Sequence, residues 1–145
     1  MSYIADTAKV DSTAKISGDA VVFNHAQVYD YACIYDNAQV YERAGVIDNA
    51  VIRDNAHVRG NAYVSGYAKV LDNALVSGYA HVYDNAVVEG HAKVYDNAHV
   101  YGKAQVSGKA QVWGNAYVYG ITLLEGDVTI SSGLIRSVHW WKDLP

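Results

Sequence analysis

The chain is poor in cysteine and proline, with one of each in 145 residues. A lone thiol, Cys33, excludes an internal disulfide, and Met1-Ser2-Tyr3-Ile4-Ala5-Asp6 lacks the basic-then-apolar layout of a secretory leader, so the expected location is cytoplasmic. No stretch approaches the roughly 20 unbroken apolar residues that cross a bilayer, because aliphatics alternate with Lys, Asn, Asp and His. No membrane partner is therefore expected. Basic residues are scattered and the net charge is −4, so nothing attracts a phosphate backbone and nucleic acid is not an expected partner. Charged residues are only 18% against 51% hydrophobic, which excludes a disordered chain. What the chain does have is 13 tyrosines and 12 glycines, a bias that points to repetition.

Ala-x-Val or Ala-x-Ile recurs every six residues from Ala8-Lys9-Val10 to Ala116-Tyr117-Val118, nineteen units without a slip in register. Weaker copies flank the run at Ser2-Tyr3-Ile4, Thr122-Leu123-Leu124 and Val128-Thr129-Ile130. Apolar first and third positions around an outward second have the period of a strand. The fifth position is Gly or Asp in sixteen of the nineteen units and the sixth is often Asn, which are residues that tolerate positive φ or bond their own backbone. A six-residue unit of three strand residues and a bend is too short for a helix and carries no hairpin-length loop, so the chain coils. With three units to a triangular turn, residue n lies about 4.8 Å below residue n+18 in a parallel stack. Alanine and valine line the inside.

These residues carry a resemblance. Val82-Tyr83-Asp84-Asn85-Ala86-Val87 is similar to the hexapeptide unit of left-handed parallel β-helix proteins, a superfamily that includes acyltransferases and carbonic-anhydrase-like members. It departs from them at its second position, where they often have Gly. The resemblance implies an all-β, single-stranded left-handed parallel β-helix of about seven 18-residue coils over residues 1–130. The left hand comes from the resemblance alone, since the general preference for crossovers is right-handed. Residues 131–145 break the repeat and gather Trp140 and Trp141, so they are expected to form a C-terminal cap or an oligomerisation segment.

Sorting by eighteen gives three walls. The first carries Tyr63, His81, His99 and Tyr117 at second positions and Tyr83, Tyr101 and Tyr119 at fourth positions. The second is mixed and holds Cys33 and Arg53; the third is mixed and holds His57, Arg59 and Trp113. Stacked tyrosines suit an interface, a small-ligand wall, or simple support between neighbouring strands. His81 and His99 fall one coil apart, but no third ligand is evident, so no metal is assigned. Arg53 and Arg59, one unit apart on different walls, are placed to flank an anionic ligand at a corner or protomer boundary. Asp36-Asn37, Asp54-Asn55 and Asp72-Asn73 stack at one corner, where the carboxylates must accept bend amides or share a cation, and the asparagines suit an amide ladder. Cys33 has no activating neighbour and is given no role.

Acyltransferases of the resembled superfamily carry a loop that interrupts the repeat and presents a catalytic histidine; no unit is interrupted here from Ala8 to Val118. The expected function is accordingly a non-catalytic module that self-associates, preferably as a trimer, and binds a partner or small ligand through its aromatic walls. No catalytic residue and no cofactor is assigned. The expected binding or interface residues are Tyr83, Tyr101, Tyr119, His81, His99, Tyr117, Arg53, Arg59, Trp113, Trp140 and Trp141. Two alternatives stand beside this reading. One is a minimal acyltransferase using acyl-CoA with His57, His81 or His99; the other is a protein that sequesters a phosphorylated metabolite or nucleotide.

Overall fold

The computed structural model describes residues 1–136 and the backbone of residues 139–141. Twenty-four short strands, most of them two residues long, form three eight-stranded sheets, and no helix occurs among the described residues. Every strand pairs in parallel with the strand three units on: Tyr3 with Val21, Lys9 with Gln27, Lys15 with Cys33. The eighteen-residue register holds as far as Gln111 and Thr129. The chain is thus a parallel β-solenoid whose three walls are the three sets expected from the sequence.

Hydrogen bonds explain why strands of two residues suffice. Tyr63 N–H donates to Ala80 O at 2.9 Å, Ser65 N–H to Val82 O at 2.9 Å and Tyr67 N–H to Asp84 O at 2.7 Å. The ladder therefore runs through the bend as well as the wall, and each coil is fastened to the next at second, fourth and sixth positions. Most bends are closed by a contact such as Ala68 N–H to Ser65 O at 3.3 Å.

The fifth position makes the corner. Every sixth residue from Gly18 to Gly126 has positive φ, with Asp84 at 58° and Gly90 at 66°. Glycine adopts this region without a Cβ penalty, and Asp tolerates it better than most residues. Asp adds a second contribution, because its carboxylate accepts the amide of the corner residue overhead: Gly90 N–H to Asp72 Oδ2 at 3.0 Å, Gly102 N–H to Asp84 Oδ2 at 3.2 Å. The column of Asp36, Asp54 and Asp72 is held this way, with Asp54 N–H reaching Asp36 Oδ2 at 3.4 Å and Asp72 N–H reaching Asp54 Oδ2 at 3.2 Å. The expected asparagine amide ladder is not found among the described residues. Asn37 and Asn55 are tied instead through their backbone N–H groups, to Asp54 O at 2.9 Å and Asp72 O at 2.8 Å.

Inside, the first-position alanines and third-position aliphatics from Ala20 to Val118 are fully buried and make one continuous core. Alanine is small enough for the narrow corner, with Thr122 and Val128 in its place in the last units, while Val and Ile suit both the strand and the prism. Past Thr129 the register shortens: Tyr117 pairs with Leu134 and Leu123 with His139. Residues expected to form a cap, Leu134–Arg136 and His139–Trp141, thus join the first and second walls as a last, tighter coil. Trp140 and Trp141 pair through their backbones with Leu124 and Glu125, and their side chains lie outside the described residues.

Candidate binding wall

On the first wall the eighteen-residue register converts a sequence column into a stack of rings. Tyr63 and His81 lie 5.8 Å apart between centroids, His81 and His99 4.9 Å, and His99 and Tyr117 4.7 Å, all within 14° of parallel. Alongside runs a second stack, Tyr83 to Tyr101 at 4.8 Å and Tyr101 to Tyr119 at 5.1 Å. The two are joined where the Tyr83 ring meets His99 edge-on, at 6.1 Å and 88°. Six of the expected site residues are therefore brought together on one face, with Tyr63 added to them. The stack ends downward on Gly45, where a Cβ would sit only 2.5 Å from Tyr63 Cε1. Glycine there gives the Tyr63 ring its seat.

Burial sets the electrostatics. His99 is held below the usual imidazole range, first by desolvation and then by the charge of His81, and its Nδ1 is buried without a hydrogen-bond partner. The phenols of Tyr83 and Tyr101 are raised, first by desolvation and then by their stacked neighbours, Tyr101 for Tyr83 and Tyr119 for Tyr101. The centre of the wall consequently favours neutral rings. No group of three His, Cys, Asp or Glu among the described residues is placed to hold a metal.

The third wall has smaller clusters. Phe23 and Tyr41 stack at 4.8 Å, and the Tyr41 hydroxyl lies 3.5 Å from His57 Nδ1. Burial, then the Arg59 charge, holds His57 below its ordinary value. Tyr95 and Trp113 stack at 6.0 Å. Arg53 and Arg59 stand on either side of the Asp54 corner, and Arg53 Nε lies 3.8 Å from Asp54 Oδ2. Cys33 Sγ donates to Tyr31 O at 3.3 Å.

Two corner grooves were not foreseen. One, of about 410 Å³, is lined by Asn24, His25, Glu42, Arg43, Gly60 and Asn61; the other, of about 350 Å³, by His91, Lys93, Lys109 and Gln111. Sorting only second and fourth positions overlooks them, because His25, Arg43, His91 and Lys109 are sixth-position residues. Applying the eighteen-residue sort to the corners places His91 directly beneath Lys109.

Among known proteins, a family model described as a YdcK beta solenoid repeat matches residues 92–108, slightly less than one coil. No curated protein and no solved structure matches the chain. The match and the three-sheet architecture agree on a hexapeptide-repeat-like parallel β-solenoid.

Proposed function

We propose that the chain is a non-catalytic assembly and binding module whose copies associate side by side through the first wall, leaving grooves between protomers for a partner or small ligand. The observation that carries this reading is the double ladder of rings from Tyr63 to Tyr119 on a sheet with no projecting loop. Each ring in the middle of a stack has its faces covered by its neighbours, so it offers an incoming surface its edge and its polar tip. Such rigid, amphipathic edges lose little side-chain entropy on contact and are enriched in interfaces. A flat ligand, by contrast, would find no free ring face within the stack. The neutral character of His99, Tyr83 and Tyr101 supports the same reading, because covering the wall then requires little desolvation of charge.

Light scattering on the purified chain tests this. A mass near three times the 15.8 kDa of one chain is expected, and a mass of one chain across the accessible concentration range overturns the proposal.

A further inference from the structure

We infer that the groove at the corner between the second and third walls, lined by His91, Lys93, Lys109 and Gln111, is a binding site for a phosphate group. The inference does not depend on association through the first wall, since these residues lie at another edge of the solenoid. It starts from a change of charge along one corner. The fifth-position column there reads Gly18, Asp36, Asp54, Asp72, Gly90, Gly108 and Gly126. Through its lower part each coil supplies a carboxylate to the amide above, ending with Asp72 Oδ2 and Gly90 N–H at 3.0 Å. At Gly90 the fifth-position carboxylates stop, and the adjoining sixth and second positions bring in His91, Lys109 and Lys93, with Glu89 and Asp127 as the acidic residues flanking them.

Four observations make this arrangement more than scattered surface charge. First, the groups lie on successive coils: His91 N–H bonds Gly108 O at 2.7 Å and Lys93 pairs with Gln111, so one coil spacing of about 4.8 Å separates the rows. Second, they surround a single groove of about 350 Å³. Third, neither Lys93 nor Lys109 is within ion-pair distance of a described carboxylate, Glu89 and Asp127 included. Fourth, the Tyr95 hydroxyl donates to Gln111 Oε1 at 3.1 Å, which fixes the amide and leaves Nε2 as a donor. Two ammonium groups, an imidazole and an amide N–H are all donors to a tetrahedral oxyanion, and charge-assisted bonds of this kind are the strong ones.

The phosphate can be inorganic or carried on an organic molecule, and the stacked Tyr95–Trp113 pair next to the groove distinguishes the two sources. Inorganic phosphate and a nucleoside monophosphate are titrated separately into the full chain by calorimetry at low salt, with Trp113 replaced by Phe in a parallel series. Lys93→Gln and Lys109→Gln should each weaken binding at least about tenfold, the loss expected for one charge-assisted contact. Lys15→Gln, an exposed lysine near the other end of the second wall, should leave binding unchanged. Tighter binding of the nucleotide that is lost in Trp113→Phe assigns an organic phosphate; equal binding of both probes assigns the inorganic ion. Absence of binding to either probe overturns the inference, and so does equal affinity in the wild type and both lysine variants. Lys93 and Lys109 are exposed, so a folding defect does not obscure the result, and unchanged circular dichroism verifies this.

Discussion

The imidazoles of His81 and His99 lie face to face, 4.9 Å apart and 5° from parallel, with the upper ring also met edge-on by Tyr83. Protonating both would place two like charges in one stack. The lowered proton affinity of His99, from burial first and from His81 second, has a consequence for stability. The folded state favours neutral His99 relative to the unfolded chain. This contribution is present above the unfolded histidine value of about 6.5 and is lost as pH falls through the folded value. His57 behaves in the same direction, through burial and then Arg59. Thermal melts should therefore show a lower melting temperature at pH 5 than at pH 7.5. The double variant His57→Gln, His99→Gln should show a shallower decline over that window; an identical slope would remove the two imidazoles as its source.

Gly45 has ordinary strand geometry, so conformational freedom is not why it is glycine; the Tyr63 ring occupies the place of its Cβ. Gly45→Ala should push that ring off the bottom of the stack. Tyr63 is at the surface and can swing away, so the stability cost stays within about 1 kcal/mol, well below a core overpacking penalty. The specific readout is nuclear magnetic resonance of the His81 ring protons. They should lose the ring-current shift from Tyr63, while those of His99 keep their environment.

The architecture is legible in the sequence because the eighteen-residue period makes covalent spacing and spatial stacking the same quantity. Tyr83 and Tyr101 are vertical neighbours for that reason, and so are Lys69 and Val87. The corner is legible too, since Asp or Gly at the fifth position is what a bend at positive φ demands. Side-chain direction is not. Tyr63 folding onto Gly45, Tyr83 turning its ring toward His99 and Tyr95 reaching Gln111 depend on rotamers selected by neighbours a coil away. The asparagine ladder failed as an expectation because the bend satisfies itself through the backbone and the aspartate carboxylates.

Corner aspartates combine two roles that substitution can separate. Asp84 has φ 58° and accepts Gly102 N–H at 3.2 Å. Asp84→Gly removes the acceptor but relieves the backbone, whereas Asp84→Ala removes the acceptor and retains the strain. Alanine should be the more destabilising by about 1–2 kcal/mol, the cost of the left-handed region for a residue with a Cβ. Urea unfolding midpoints provide the comparison, and alanine proving equal to glycine would show that the φ requirement is not felt.

In the core, Ile34 and Ile52 stack directly in the second wall, while most third positions elsewhere hold valine. Ile52 is fully buried. Ile52→Val should cost about 0.5–1.5 kcal/mol and Ile52→Ala about 2–5 kcal/mol, since the prism walls are tied by the ladder and cannot collapse onto the cavity. Because each coil touches only its neighbours, hydrogen exchange should accelerate most in the coils next to Ile52 and least toward Val118.

Tyr101 lies in the middle of its stack, and both faces of its ring are covered by Tyr83 and Tyr119. Tyr101→Lys would set an ammonium in a row of neutral rings, and burying it against a second copy would leave the charge unpaired. Association should weaken by at least about thirtyfold, the effect of losing one central interface anchor. Tyr67→Lys is the control, because Tyr67 is 62% exposed at a corner away from the ring stacks. Sedimentation of the two variants at matched concentrations should give a smaller particle for Tyr101→Lys alone. If both retain the wild-type size, copies meet through a surface other than the ladder; if both become smaller, the contact extends around the corner to Tyr67.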